Sequence, residues 1–256
     1  MPRHRCLIRT ITDFRSKYQV LRSGDAVLGV LPLRPGEEIK LLDLLVRNVE
    51  CYPPVLAQLL CRSKAAQAEV LGEFMVPGTF VAYGLPDLAS RLPEFQAAGF
   101  GTVVAKRDRA HLGLGVSLWP SLEALFSLAG LQGLDYPIVV QPLLAGARDL
   151  RAVVVGDYVE AYERVNPHSF RKNLFQGGSS RPGALSSEQE NFCRRAMDRG
   201  KFSYAVLDLL VSPEDETYLS EINLKGGLTG ARLSQAEFRR RVAALEETFV
   251  QQWENS

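Results

Sequence analysis

The chain has 256 residues, of which 46% are hydrophobic and 23% charged, and its net charge is +1. This length allows a substantial core and either one large domain or two to three lobes. A charge balance so close to neutral argues against nucleic-acid binding, which normally needs a basic excess. No apolar run approaches the roughly 20 residues of a transmembrane helix. The first residues, MPRHRCLIRT, lack the apolar segment of a secretory signal. We therefore expect neither a membrane nor a nucleic-acid partner.

The cysteine and histidine patterns exclude several common kinds of site. The four cysteines form no C-x-x-C pair, and the three histidines lie far apart in the chain. Neither a zinc site nor a disulfide framework is therefore predicted, and reduced thiols indicate a cytoplasmic protein. The sequence also contains neither a G-x-S-x-G nucleophile elbow nor a G-x-x-x-x-G-K-[ST] phosphate loop.

Strands and helices are predicted to alternate along the chain. The first half of the chain predicts a strand over 26–33, a helix over 34–50, two helices on either side of a break at Arg62–Ser63, a strand over 78–84, a helix over 86–98 and a strand over 99–108. A helix over 121–130, a strand over 136–144 and a hairpin over 149–165 with a turn at Gly156–Asp157 follow. The last part predicts a loop over 166–186, a helix over 187–200, two strands within 204–223 and a final helix over 233–255. This pattern indicates an α/β or α+β protein with mixed sheets.

The segment DLLVSPEDETYLSEIN predicts a hairpin that carries acids on one face. A four-residue loop over 213–216 sets Asp208 opposite Glu221, and alternation places Asn223 on the same face as Glu221. Two facing carboxylates repel each other, and a buried unpaired charge costs several kcal/mol. A divalent cation removes both costs, and three oxygen donors suit Mg²⁺ or Mn²⁺. The alternative is a solvated edge hairpin with incidental acids.

A second group of residues suits a nucleotide's phosphates. Lys106 ends a predicted strand, and Gly113 and Gly115 lie in the loop that follows it. A glycine-bearing loop can direct backbone N–H groups at phosphate oxygens. Lys64 opens a predicted helix and supplies another positive charge. Taken singly, each of these lysines is also consistent with an ordinary solvated side chain.

The order of these features resembles the ATP-grasp superfamily and, within it, the RimK-like α-L-glutamate ligases. The chain contains DLRAVVVGD, FRKNLFQGG and LSEIN in that order, and the resemblance covers about residues 50–232. It implies an α+β ATP-grasp fold in which two lobes grip ATP, preceded by a short α/β unit. The implied division is 1–62 for this unit, 63–140 for the small lid lobe and 141–256 for the large lobe with the metal site.

The resemblance also implies a role for each residue of the candidate site. Lys64, Lys106 and Asn173 would contact the phosphates, and the loop Leu112–Gly115, with Gly113 and Gly115, would cover them. Gln141 to Leu144, including Leu143, would bind adenine through backbone groups. Arg151 and Arg171 would stabilise the transferring phosphoryl group. Asp208, Glu221 and Asn223 would bind Mg²⁺. Independently, Arg151 shares a strand face with valines and needs an anionic partner, which a phosphate would supply.

Three departures from the family pattern bear on the substrate. Pro142 stands where relatives often carry an acidic hinge residue, and it lacks an N–H. The segment LKGG follows Asn223, where small polar residues and proline are usual. The part before Lys64 is shorter than the corresponding domain of relatives. The substrate is therefore expected to differ from theirs.

The resulting functional hypothesis is an ATP- and Mg²⁺-dependent carboxylate–amine ligase that acts through an acyl-phosphate. Its substrates would be ATP and small-molecule or peptide carboxylates and amines. One alternative is an ATP-binding module without ligase activity that serves a partner or senses nucleotide. Another is a ligase that modifies a peptide or protein and whose acceptor site is completed by a protein partner.

Overall fold

The architecture consists of three β-sheets with helices packed against them. In the computed structural model, which describes residues 4–110, 115–167 and 177–256, the strands are β1 (Leu7–Ile8), β2 (Ala26–Leu28), β3 (Glu50–Tyr52), β4 (Phe80–Ala82), β5 (Val103–Arg107), β6 (Val116–Trp119), β7 (Ile138–Pro142), β8 (Arg148–Val155), β9 (Tyr158–Val165), β10 (Ser179–Gly183), β11 (Tyr204–Val211) and β12 (Thr217–Asn223). The helices are α1 (Ile11–Lys17), α2 (Ile39–Val46), α3 (Val55–Leu60), α4 (Lys64–Leu71), α5 (Leu85–Ala97), α6 (Leu122–Gln132), α7 (Ser187–Gly200) and α8 (Gln235–Glu254).

The first sheet forms a small N-terminal unit. Its strands are parallel in the order β1-β2-β3, as the predicted α/β unit requires. Sequence patterns predicted only the middle strand, because β1 has two residues and β3 falls where one predicted helix ends and the next begins. Helix α2 begins at Ile39 and not at Pro35, so the proline belongs to the preceding turn.

The second sheet is antiparallel in the order β4-β7-β5-β6. Helices α5 and α6 pack on it and enclose a separate core that includes Phe80, Phe95, Leu125 and Val140. Ser63 caps α4 as predicted, because its side chain accepts a hydrogen bond from the backbone N–H of Ala66 at 2.9 Å.

The third sheet is antiparallel in the order β10-β9-β8-β11-β12, and the main core lies against it. The hairpin turn at Gly156–Asp157 is confirmed, since Val155 pairs with Tyr158. The predicted loop over 166–186 contains the edge strand β10, which sequence analysis missed because Pro182 and its polar neighbours are untypical of strands. Residues of α3 and α4 also contribute to this core.

The predicted division at residues 62 and 140 stays a prediction. In the described part of the chain, no helix has both the length and the apolar character needed to cross a membrane.

Candidate active site

A cavity of about 1320 Å³ opens where the three sheets meet. Its walls include Val30 and Leu33 after β2, Val104 and Lys106 on β5, and Asp208 and Glu221 on the β11–β12 hairpin. Arg151, Gln141 and Asn223 line the same space. Residues that are far apart in the chain, and that the sequence analysis assigned to one site, therefore share one cavity.

The register of the β11–β12 hairpin agrees with the prediction at the acids and differs near the loop. Asp208 pairs with Glu221, as predicted. The loop covers residues 212–216 and so has five residues, not the predicted four. Leu209 pairs with Leu219 while Asp208 pairs with Glu221, so Ser220 has no partner and forms a β-bulge. This bulge compensates for the extra loop residue. Bulges of this kind re-aim side chains next to sites, and here Ser220 and Glu221 both line the cavity.

Two arginines neutralise the Asp208 carboxylate. Arg151 donates from Nε to Oδ1 at 2.7 Å and from Nη2 to Oδ2 at 2.9 Å, and Arg164 Nη2 lies 3.1 Å from Oδ2. Burial raises the pKa of Asp208, but the two guanidinium groups outweigh it and hold the pKa well below its usual range. The anionic partner of Arg151 is thus Asp208. The sequence analysis expected a phosphate as this partner, but the neighbouring strand already places a carboxylate there.

Sequence analysis missed Arg164 and Asp149, which extend this ionic cluster. Arg164 Nε donates to Asp149 Oδ1 at 2.6 Å, and both side chains line the cavity. Burial raises the pKa of Asp149 more than the adjacent Arg164 lowers it. The sequence does indicate this pair, because a two-residue turn at 156–157 sets Asp149 directly opposite Arg164 on the neighbouring strand.

Glu221 is held by weaker contacts than Asp208. Asn223 donates from Nδ2 to Glu221 Oε1 at 3.0 Å, and the Lys64 ammonium lies 3.7 Å from the same oxygen. Lys64 also donates to the backbone carbonyl of Ala110. The predicted phosphate lysine and the predicted metal-binding acid are therefore neighbours in this structure.

Lys106 is buried at the floor of the cavity. Its ammonium donates to Gln141 Oε1 at 2.8 Å, to Ser220 Oγ at 3.3 Å and to the Ser220 carbonyl at 3.4 Å. Burial lowers the pKa of Lys106 to about 8, against the attraction of Glu221. Lys106 is mostly charged at neutral pH and uses neutral oxygens as partners, so an arriving anion can bind it without breaking an ion pair.

The predicted adenine hinge, Gln141–Leu144, begins in the last two residues of β7 and has few free backbone donors. Pro142 has no N–H, and the N–H of Leu143 donates to the Thr102 carbonyl at 2.9 Å. Gln141 pairs with Val104 in the sheet, so within the described residues the N–H of Leu144 is the remaining backbone donor of this segment. Leu143 and Leu144 also line the cavity.

Part of the predicted site lies outside the described residues, namely Gly113, Arg171 and Asn173. Gly115 is described, and its carbonyl accepts from the Arg107 N–H at 2.7 Å. A Cβ at Gly115 would lie 2.3 Å from the Ala110 side chain, so this turn requires glycine.

The donor chemistry at the hairpin fits a magnesium ion. Asp208 accepts three hydrogen bonds from arginines, and a carboxylate has about four lone-pair sites, so one remains. Glu221 and Asn223 add a carboxylate and an amide oxygen. Among the described residues no cluster of three or more acidic, histidine or cysteine side chains occurs. Magnesium commonly takes one or two carboxylates and completes its shell with phosphates and water.

A buried glutamine on α4 positions the acidic strand and was also missed. Gln67 accepts from the Ile222 N–H at 3.0 Å, and its Nε2 donates to the carbonyls of Ile222 at 2.9 Å and Leu60 at 3.0 Å. Because β12 is an edge strand, no further strand of the described structure pairs with its outer side, and the Gln67 amide instead pairs with the backbone N–H and carbonyl of Ile222. Ile222 lies between Glu221 and Asn223, so this contact fixes both.

Replacing this amide should destabilise the protein. Gln67→Met keeps the volume but leaves the buried N–H and carbonyl of Ile222 unpaired, and each such group costs about 1–3 kcal/mol. Urea unfolding should show a loss on the order of 3 kcal/mol. Gln96→Met, on the exposed side of α5, is the matched control and should change stability by less than about 0.5 kcal/mol. Equal stability of the Gln67 variant and the wild type would contradict this role.

Comparisons with known proteins agree with this geometry. A family model described as a RimK-like ATP-grasp domain matches residues 57–244. The chain is 32% identical over 153 residues to a probable alpha-L-glutamate ligase 2 of Shewanella frigidimarina, covering 57% of this chain and 51% of that one. It is 30% identical over 160 residues to the ribosomal protein bS6–L-glutamate ligase of Escherichia fergusonii, covering 60% and 52%. The chain thus spans about half the length of these curated relatives.

The fold is also found among solved structures. The D-alanine–D-alanine ligase from Bacillus anthracis complexed with ATP superposes with a TM-score of 0.64 at 16% identity, over 94% of this chain and 84% of that one. This likeness confirms the predicted ATP-grasp fold. Together with the family model, which covers well over half of the residues, it shows that the chain belongs to the RimK-like ATP-grasp family.

Proposed function

We propose that this chain is an ATP- and Mg²⁺-dependent carboxylate–amine ligase that forms an amide through an acyl-phosphate. The observation that carries the proposal is the shared cavity, in which the lysines of two segments face the ionic cluster of the β8–β11–β12 strands. ATP would transfer its γ-phosphoryl group to a substrate carboxylate, and an amine would then displace the phosphate. No enzyme nucleophile is needed, so the protein acts by positioning and charge neutralisation.

The nucleotide would lie between the second and third sheets. Val104 on β5 and Leu210 on β11 supply apolar side chains to the cavity, against which an adenine ring would pack. The Leu144 N–H would donate to the base. The phosphates would extend towards Lys106 and Lys64, with the Gly113–Gly115 loop above them. Leaving Lys106 protonated costs little at neutral pH, since its pKa is about 8.

Magnesium, or manganese in its place, would be held by Asp208, Glu221 and Asn223. The ion supplies charge neutralisation at the phosphates when it is bound. The protein's own contribution is geometry, because β-pairing and the Gln67 amide fix the two acids before any ligand arrives. A cation would also take over from Lys64 as the partner of Glu221, which frees that ammonium for a phosphate.

The transferring group would lie near Arg151, together with Arg171 and Asn173 from the segment outside the described residues. Arg151 is already oriented, because Asp208 binds one edge of its guanidinium and the Gly227 carbonyl accepts from Nη1 at 3.0 Å. A charge fixed in this way needs no reorganisation as negative charge develops.

For the acceptor substrate we propose a chemical class and no individual compound. The name of one relative points to a protein substrate, and the chain spans about half of that relative's length. We propose a small-molecule or peptide carboxylate and amine, with a protein partner able to complete the acceptor site.

We also place the protein in the cytoplasm, because its cysteine pattern is that of reduced thiols. An ATP-binding module without ligase activity is not favoured, since the relatives are ligases.

ATP binding should depend on the protonation of Lys106. The pKa of this lysine is about 8 without ligand, and a bound polyphosphate raises it. Affinity should therefore be constant below about pH 7 and fall up to about tenfold per pH unit above pH 8. Calorimetry from pH 7 to 9 tests this.

Lys106→Ala should weaken binding at every pH. Lys106→Arg should remove the pH dependence, because a guanidinium stays charged. A wild-type affinity that does not change between pH 7 and 9, or unchanged affinity in Lys106→Ala, would remove Lys106 from the nucleotide site.

Glu221→Gln should abolish Mg²⁺-dependent ADP formation and leave the fold intact. The amide keeps the shape but loses the charge that a divalent cation requires. Glu216→Gln, an exposed acid at the loop end of the same hairpin, is the matched control and should retain activity. Full activity of Glu221→Gln with an unchanged Mg²⁺ requirement would eliminate the proposed metal site.

Arg171→Ala should slow phosphoryl transfer far more than it weakens ATP binding. Removing one donor to a transition state typically costs on the order of 10²–10³ in rate. Rapid-quench single-turnover measurements report the rate, and calorimetry reports the affinity. Arg181→Ala, on the outer strand β10, removes an equal charge and should have little effect. Equal rates for both variants would refute the assignment of Arg171.

A further inference from the structure

Arg62 and Lys225 line the cavity and have no acidic partner. The acids that line the cavity form ion pairs with other basic residues. Asp149 and Asp208 contact Arg151 and Arg164. Glu221 lies beside Lys64, and Glu38 pairs with Arg109. Within the described residues neither Arg62 nor Lys225 forms an ion pair. The segments 1–3, 111–114 and 168–176 contain no aspartate or glutamate, so they supply no acidic side chain to either residue.

The two cations come from separate segments and converge on one loop. Arg62 lies at the break between α3 and α4, and its guanidinium donates to the carbonyls of Leu31 and Leu33. Its buried Nε has no partner in the described structure. Lys225 follows β12, and its ammonium lies 3.5 Å from the carbonyl of Val30. Val30 and Leu31 are consecutive, so two positive charges approach the same short stretch of backbone.

The backbone on both sides of Lys225 is fixed. Leu224 is buried, and Gly226 packs so closely on β11 that a Cβ there would lie 2.7 Å from Val206. The carbonyl of Gly227 accepts from Arg151 and from the Tyr162 hydroxyl. The ammonium of Lys225 is therefore presented from an anchored segment, and binding an anion would order little more than the side chain itself.

We propose that Arg62 and Lys225 bind a carboxylate of the substrate that does not take part in the reaction. The inference rests on the proposed ligase function and specifies its substrate class. Like charges that lack a counter-ion favour an anion between them. The Arg62 Nη hydrogens that no carbonyl uses and the unused hydrogens of Lys225 supply the charge-assisted donors that a carboxylate accepts. The reacting carboxylate belongs beside Arg151, so this second carboxylate is a different group of the bound substrate.

The extra carboxylate has two chemical sources. It belongs either to the amine substrate, as the α-carboxylate of an amino acid, or to a carboxylate substrate with a second acidic group. Matched ligand pairs distinguish them. The first set pairs the L-amino acids with their α-carboxamides, and the second pairs straight-chain dicarboxylates with their monoamides. In each pair only the charge of one group changes.

Binding is measured by calorimetry on the full chain with Mg²⁺ and a non-hydrolysable ATP analogue. In at least one set the free carboxylate should bind on the order of tenfold more tightly than its amide, as expected for a charge-assisted hydrogen bond. Lys225→Gln should remove this preference and Lys225→Glu should reverse it. Both should bind the ATP analogue like the wild type. Lys17→Gln, an exposed lysine on α1, is the control and should keep the preference.

The outcomes separate this inference from the proposed function. If the wild type binds the ATP analogue but binds both members of every pair equally, the carboxylate site is refuted and the ligase proposal stands. A preference that persists in Lys225→Gln also refutes it. If the wild type does not bind the ATP analogue, the proposed function itself fails.

Discussion

The interaction between Asp208 and its two arginines is the constraint on which the cleft depends. Asp208 lies on β11, between β8 with Arg151 and β12 with Glu221. The buried Asp208 carboxylate therefore lies opposite Arg151 on one neighbouring strand and opposite Glu221 on the other. Without it, Arg151 and Arg164 would be two buried guanidinium groups with only Asp149 between them. Leaving one charge of such a pair uncompensated costs several kcal/mol.

This cluster also determines which charges remain for ligands. Asp149 and Asp208 balance Arg151 and Arg164, so the four residues contribute no net charge to the cavity. The residual positive charge comes from Lys106, Arg62 and Lys225, whose partners among the described residues are neutral oxygens. These three charges suit the anionic groups of a nucleotide and of an anionic substrate bound in the same cavity.

Much of the hairpin could be predicted from the sequence because β-pairing is a local rule. The spacing between Asp208 and Glu221 gave the correct pairing, and the turn at Gly156–Asp157 gave the register of β8 and β9. The same register sets Asp149 opposite Arg164, a pair that the sequence analysis did not include. The bulge at Ser220 could not be predicted, because it depends on how the loop over 212–216 closes.

The remaining features depend on contacts between distant segments. Gln67 binds Ile222 across 155 positions of the chain, and no local pattern indicates this contact. Arg62 and Lys225 likewise meet only through the loop after β2. The edge strand β10 has a polar sequence with a proline, and its pairing with β9 overrides its weak strand propensity.

The central claim is that this cleft joins a carboxylate to an amine through an acyl-phosphate. The most direct test incubates the full chain with ATP, Mg²⁺ and a mixture of amino acids whose carboxylates carry oxygen-18, and analyses the released phosphate by mass spectrometry. An acyl-phosphate route transfers one labelled oxygen from the carboxylate to phosphate, so labelled phosphate should accumulate together with ADP. ADP and phosphate released without label would contradict the account.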